Sequence, residues 1–287
     1  SRTHFAVDAF SYGEITNVKH YFLTHFHSDH YSGLKKGFNK MLFCSKITAD
    51  LCISRLGVGV KYIHILNVDE SIKIDGVEVT AVDANHCPGA IMLVFTLPNG
   101  KTLLHTGDFR ASPIMESYPV FWNRDIHTVY LDTTYCNPRY DFPTQDESLE
   151  MALYHLRQKK TALEKAGKKF ASVLIVCGTY TIGMIKKFFL SKTFLYLYSA
   201  AYEHSSFSEM IRFVKYLNPK QVVPTVDISG GIKAVQVCIH IKKIVLRCLR
   251  TCKEYNSLPA TIFPPSYNLG RLKASVHRVL LSKRVTF

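Results

Sequence analysis

The sequence predicts an α/β chain built from layered sheets, and three observations carry that reading. The first half is a series of short apolar runs divided by tight turns, with Asn99-Gly100 between two of them as a hairpin signal. Thr144 and Glu147 stand at capping-box spacing ahead of a long helical stretch. Beyond it, strand-like and helical segments alternate, the pattern of stacked sheet and helix layers.

In chain order, strands are expected at 4–10, 19–24, 61–66, 77–83, 90–96, 101–106 and 128–132. A turn-rich stretch runs to Pro143, and the capped helix extends to Lys165, with Gly167 ending it. A strand at 171–177, a helical start at 182–190 and a strand at 194–199 follow. A helix over 206–217 closes at Asn218-Pro219, and a strand is expected at 220–226. Residues 231–253 have helical apolar spacing, and Pro259, Pro264 and Pro265 break any regular pattern after that.

With 287 residues, 47% hydrophobic and 20% charged, the chain suits one large domain or two modest ones around a buried core. No apolar run is long enough to span a bilayer, and the opening residues do not read as a leader. None of the eight cysteines forms a C-x-x-C pair, and several lie in apolar runs. They read as reduced, buried thiols of a cytosolic or nuclear protein. Net charge is +14, and it is uneven: from Gly231 to Phe287 there are eleven Lys/Arg against one acid, Glu254. Such a basic segment favours polyanions, nucleic acid among them, although a solubilising tail has the same composition.

The chemistry is announced by Thr24-His25-Phe26-His27-Ser28-Asp29-His30, in a loop at the carboxyl end of an apolar strand. Three imidazoles and a carboxylate within six residues are costly to bury unless bonded. Alternation puts His25 and His27 on one side, where both can hold one metal, while Asp29 and His30 turn toward a second. One loop cannot close such a site. His86, in Asp83-Ala-Asn-His-Cys-Pro-Gly89, and Asp108, in His105-Thr-Gly-Asp-Phe-Arg110, each follow an apolar strand and precede or sit in a turn. Either alone is a weak signal; in this order they are a strong one.

The series His25-x-His27-x-Asp29-His30, His86, Asp108 resembles the metallo-β-lactamase superfamily. The longer wordings narrow it. Tyr21 to Tyr31, Asn85 to Gly89, His105 to Arg110 and Leu131-Asp-Thr-Thr-Tyr-Cys136 are similar to the β-CASP branch of DNA-repair nucleases, the group of Artemis and Apollo, and most of all to its interstrand-crosslink-repair subgroup. The resemblance implies an αββα sandwich with a β-CASP region. It divides the chain into a lactamase half (1–140), a β-CASP remnant (141–204), a return to the lactamase domain (205–230) and a basic C-terminal segment of uncertain fold (231–287).

It also implies roles. Asp8 supports the metal loop. His25, His27, His86 and Asp108 hold a first metal; Asp29, His30, Asp108 and His204 hold a second, with Asp108 bridging. Asp132 acts from behind the ligands. Asp29, His30, Asp108, Asp132 and His204 form the catalytic set, and nitrogen-rich ligation favours one or two Zn²⁺ over Mg²⁺. Val226 matches the DNA-cutting rather than the RNA-cutting form, and Thr179-Tyr180-Thr181 would receive a 5′-phosphate. The implied protein is a nuclear, metal-dependent 5′→3′ DNA exonuclease of crosslink and double-strand break repair, acting on single-stranded or damaged duplex DNA.

Two departures stand against that pattern. Met184 replaces the usual Lys after Gly183, and the chain passes from Leu190 to Tyr198 where the family places most of its β-CASP insert. A metal- and DNA-binding protein of impaired catalysis is therefore the competing reading. Small-molecule hydrolysis is disfavoured by Asp132, His204 and Val226, and RNA cleavage by Val226.

Overall fold

A computed structural model describes residues 4–122, 124–167 and 203–226. The expectations for 171–177, 182–190, 194–199 and 231–253, together with Thr179, Tyr180, Thr181 and Met184, lie outside the described residues.

Two sheets form the frame. The smaller is parallel, in the order β1 (Phe5–Val7), β2 (His20–Phe22), β3 (Met41–Cys44), β4 (Ile63–Ile65). The larger runs β10 (Gln221–Pro224), β9 (Ile126–Leu131), β8 (Thr102–His105), β7 (Ile91–Thr96), β6 (Val77–Asp83), β5 (Ser71–Ile74). Its β8, β9 and β10 are mutually parallel, and β5 to β8 form an antiparallel meander. Because β6 and β8 are each antiparallel to β7, the strands β6, β8, β9 and β10 all end at the same edge.

Side-chain alternation builds the layers. Phe22 and Phe43 turn inward against Val77, Val79, Ala81, Ile91, Leu93 and Phe95 of the larger sheet. Tyr21, Leu23, Leu42 and Cys44 turn the other way, onto Ala49 and Cys52 of α2 (Lys46–Leu56). Val82, Met92, Val94 and Leu104 face away from the sheet interface and are buried as well. The helix α4 (Phe207–Leu217) buries Met210, Phe213 and Val214, and its Phe213 ring meets Phe109 and Phe121. Two stacked sheets with helices on their outer faces make the layered α/β sandwich that the sequence predicts.

Most strands are shorter than expected, β6 matches its expected bounds, β9 starts earlier, at Ile126, and three elements were not expected. β3, α2 and β5 passed unnoticed. The signals for α2 were present: Ser45 accepts from Thr48 N–H at its N-cap, and Gly57 ends it with φ +70. Its apolar residues are spread around the axis, so periodicity gave nothing to read. The turn joining β5 to β6 is Asp75-Gly76, both at positive φ (47 and 82), a hairpin signal as good as Asn99-Gly100. The expected helix from Thr144 forms as α3 (Gln145–Lys165) with both halves of its capping box made. The metal motif is also not all loop, since Ser28–Tyr31 winds into one helical turn, α1, with His27 at its N-cap.

Candidate metal centre

Four strand ends of the two sheets deliver the site. β2 leads into Thr24–His30, β6 into Ala84–Gly89, β8 into Thr106–Arg110, and β9 into Asp132. The turn ahead of α4 brings His204. Backbone bonds knit these loops together: Ile91 N–H donates to Thr24 O, Arg110 N–H to Ala84 O, and Ser205 N–H to Phe109 O. Gly107, at φ +53, lets the β8 loop lie against Thr24. A Cβ at Gly107 would stand 2.8 Å from the Thr24 Cβ. Asp8 and Asn85 also hold left-handed backbone, at φ 50 and 52, beside the cluster.

Five imidazoles converge on one carboxylate. From Asp108 Oδ2, the Nε2 atoms of His30, His25, His86 and His204 lie at 3.2, 3.6, 3.7 and 3.9 Å. His27 Nδ1 stands 2.9 Å from His25 Nε2 and 3.1 Å from His86 Nε2.

In four of these rings Nδ1 is tethered, which decides what Nε2 can do. His30 Nδ1 donates to Asp8 (2.8 Å), His204 Nδ1 to Asp132 (2.7 Å), and His86 Nδ1 to the Glu203 carbonyl (2.9 Å). Thr24 Oγ1 gives its own proton to Asp8, so it accepts from His25 Nδ1 at 3.0 Å. Each tether fixes the Nδ1–H tautomer and aims Nε2 at the centre. Asp132 is in turn held by Thr134, whose N–H and Oγ1 both donate to its Oδ1.

Electrostatics divide the rings into two sets. Burial pushes the His25 imidazole down to about 2, the His30 cation adding to the effect while Asp108 opposes it. Burial likewise holds His86 at about 4, despite its bond to the Glu203 carbonyl, and lowers His27. Burial also disfavours the His30 cation, yet hydrogen bonds to Asp108 and Asp8 outweigh it and carry its pKa up to about 11. His204 is raised the same way, its bond to Asp132 overcoming burial. Burial would raise Asp108, but the His30 hydrogen bond and charge reverse that and hold its carboxyl well below the usual carboxylate range.

The donor set fits a cation. His25, His27, His86 and Asp108 offer ligand atoms within 4.8 Å of one another, as do Asp29, His30 and Asp108, and Asp108, Asp132 and His204. Nitrogens this close, aimed at one point by tethers behind them, repel one another unless a proton or metal ion lies between them. Asp29 is the outlying member, largely exposed, with its carboxylate 3.7 Å from His30 Nε2.

Of the residues singled out in the sequence, Asp8, His25, His27, Asp29, His30, His86, Asp108, Asp132 and His204 thus meet in one place. Val226 lies beyond β10, half-buried, its carbonyl accepting from Thr133 Oγ1 at 2.8 Å. Sequence reasoning missed three contributors. Glu203 acts through its carbonyl, which no side-chain pattern reveals. Thr24 holds His25. Arg110, fully buried, donates from Nε and Nη2 to both oxygens of Glu209 (3.2 Å each) and from Nη2 to Pro143 O (2.8 Å). Glu209 caps α4 by accepting from Ser206 N–H. The pair therefore fastens the Asp108 loop to the turn that carries His204.

Residues 145–230 match the family described as DNA repair metallo-beta-lactamase. Among curated relatives, the chain is 52% identical over 186 residues to the DNA cross-link repair 1A protein of Gallus gallus, covering 65% of this chain and 18% of that one. It is 47% identical over 182 residues to the DNA cross-link repair protein SNM1 of Arabidopsis thaliana, covering 63% and 36%. It is 40% identical over 165 residues to the 5' exonuclease Apollo of Mus musculus, covering 55% and 30%. The chain spans about a fifth of the length of the vertebrate cross-link repair relatives.

Proposed function

We propose that this chain is a member of the DNA repair metallo-β-lactamase family that residues 145–230 match, and that it functions as a metal-dependent DNA nuclease serving interstrand-crosslink and double-strand break repair in the nucleus. The observation that carries it is the convergence of five imidazoles on Asp108, on a chain whose relatives include cross-link repair proteins and a 5' exonuclease. Digestion from the 5′ end is inferred from the relative whose name is 5' exonuclease Apollo, and the 5′→3′ direction on a 5′-phosphorylated strand is part of this proposal.

His25, His27, His86 and Asp108 would hold one Zn²⁺, and Asp29, His30, Asp108 and His204 a second, Asp108 being shared. Three of the nitrogens are already neutral near pH 7, the form that binds metal, and a nitrogen-rich set favours zinc. When bound, Zn²⁺ supplies Lewis acidity toward a phosphodiester and toward water.

The chain's own residues do the rest. Asp132 takes the His204 Nδ1 proton's hydrogen bond and so keeps Nε2 toward the reacting centre. Asp8 does the same for His30 while bracing the Thr24 backbone and hydroxyl. The Glu203 carbonyl orients His86. The His30 hydrogen bond and charge hold Asp108 in the anionic form that a cation needs. Val226 and, outside the described residues, Thr179-Tyr180-Thr181 are the substrate-binding residues of this proposal. No helix among the described residues is long and apolar enough to cross a membrane.

Purified protein is tested on 5′-phosphorylated single-stranded DNA, with zinc, with chelator and as Asp108→Asn. Metal-dependent mononucleotide release that disappears in the variant is expected. Stoichiometric zinc and DNA binding with no cleavage would instead establish the impaired-catalysis reading that the Leu190–Tyr198 junction raises.

A further inference from the structure

The loop that leaves Asp132 does more than hold His204. It runs through Tyr135, Arg139, Tyr140 and Phe142 before α3 begins, and these side chains form a continuous ledge leading out of the metal cluster. The Tyr135 ring stands edge-on to His204 at 5.9 Å. Tyr140 and Phe142 flank Tyr135 at 5.1 and 5.3 Å. Arg139 lies over Tyr140, its guanidinium carbon 4.6 Å from the ring centre, and Nη2 donates to the Tyr140 hydroxyl at 2.7 Å. Arg139 is exposed and Tyr135 and Tyr140 are half-buried, so the ledge is open on one side.

The loop is held by hydrogen bonds within itself and to α4. Arg139 N–H donates to Asn137 Oδ1 and Tyr140 N–H to Asn137 O. The Tyr140 carbonyl accepts from Phe207 N–H at the start of α4, and Asp141 accepts from Ser208 Oγ at 2.6 Å. A guanidinium placed over the outer ring, with Nε and Nη1 donating to no partner among the described residues, goes beyond space-filling. A fixed aromatic surface beside an exposed guanidinium matches a nucleotide of a single strand, whose base stacks and whose phosphate pairs with Arg.

We propose that Arg139 and Tyr140, backed by Tyr135, form a single-strand binding subsite of the metal centre: the rings stack the base of a nucleotide near the scissile phosphate, and Arg139 pairs with its phosphate. The inference rests on the nuclease reading for its ligand, but its test does not depend on cleavage.

The probe is a nuclease-resistant phosphorothioate oligodeoxynucleotide with a 5′-phosphate, carrying one abasic residue at each position in turn, with binding read by fluorescence anisotropy. In the wild-type protein one position near the 5′ end should lose affinity by about 5- to 150-fold when its base is removed, the range of one stacked base. Tyr140→Ala should lose the same factor on the intact strand and nothing further at that position. Tyr140→Phe, which keeps the ring, should bind within about threefold of wild type on the same stacking scale. Arg139→Ala should lower the salt dependence of binding by about one phosphate contact. An abasic scan that is flat in the wild type, or a Tyr140→Ala protein that keeps wild-type affinity and the same abasic profile, would overturn the subsite. Cleavage of unmodified strands by that same wild-type preparation would leave the nuclease reading standing, so the two failures are distinguishable.

Discussion

The histidines around Asp108 fall into two sets that differ in what stands behind them. His25 and His86 are backed by neutral groups, Thr24 and the Glu203 carbonyl, and these two and the adjoining His27 are all lowered from their ordinary pKa. His30 and His204 are backed by the carboxylates Asp8 and Asp132, and both are raised. One side of the site is thus ready for a cation as folded; on the other, His30 carries a proton that a cation must displace, and His204 holds its proton more tightly than an ordinary imidazole. The difference teaches that the tethering group, rather than the ring, sets each side's character. Metal uptake at the His30 and His204 side should release protons, and at the other side almost none.

The largest effect expected on this division comes from its shared member. Asp108→Asn removes the carboxylate that both sets face and the main partner of the His30 cation. Activity on 5′-phosphorylated DNA should fall more than about 1,000-fold, beyond about 4 kcal/mol of barrier. In the metal-free variant, the His30 ring should titrate closer to its ordinary range by NMR. A His30 that stays protonated to the wild-type pH would mean Asp8 alone makes the charged side.

The two sides are also held together by a buried ion pair, Arg110 with Glu209, whose side chains are only 2% and 9% exposed. Glu209→Gln leaves a guanidinium buried without its charge partner, which costs about 3–5 kcal/mol. Denaturant unfolding should show that loss. A double variant, Arg110→Met with Glu209→Leu, should recover much of it, because the cost lies in the orphaned charge rather than in the missing attraction. If the pair also aligns the two sets, the double variant will be stable yet bind less zinc at the His204 side.

Asp132→Asn keeps an acceptor for His204 Nδ1 but removes the charge. Loss of a supporting group of this kind costs about 10- to 100-fold in activity or metal affinity. Thr24→Val, the matching change on the neutral side, should cost less, because a hydroxyl acceptor contributes less than a carboxylate to a charged ring. Equal losses in the two variants would erase the distinction between the sides.

These residues were legible to different degrees, for physical reasons. Ligands are chemically conspicuous: His25, His27, His86 and Asp108 stand out because imidazoles and carboxylates seldom follow apolar strands without work to do. Capping boxes and Asn-Gly turns are equally local, so α3 and the β7–β8 hairpin could be read directly. The misses are non-local or carried by backbone. Glu203 contributes a carbonyl, and Arg110 and Glu209 are 99 positions apart and look like ordinary surface charges. The ring contact of Tyr135 with His204 exists only once two distant loops meet. β3 and α2 lacked a clean period, and β5 is a four-residue strand at the edge of the sheet.

The smallest expected effect is also the most direct reading of the division, and it needs only the metal-free protein and a series of pH values. His25 and His86 have folded pKa values of about 2 and 4. Between pH 6.5 and those values the unfolded chain binds protons that the folded chain refuses, so stability falls as the solution is acidified. Each such histidine contributes up to about 1.4 kcal/mol per pH unit. His30 runs the other way. Its folded pKa is raised to about 11, so its stabilisation is fully present below pH 6.5 and is lost progressively as pH climbs toward 11. Asp108 joins the acid limb at its lower end: its carboxyl is held well below the usual range, so its stabilisation is present above its unfolded pKa and is lost as pH falls below about 4. Stability of the metal-free protein should therefore peak near pH 6.5 and decline on both sides, from different residues. His86→Asn should flatten the acid limb of a Tm-against-pH curve and leave the alkaline limb alone; Asp8→Asn should do the reverse. A single variant that flattens both limbs would mean that the five rings titrate as one coupled group, and that the two sides of the site are not independent.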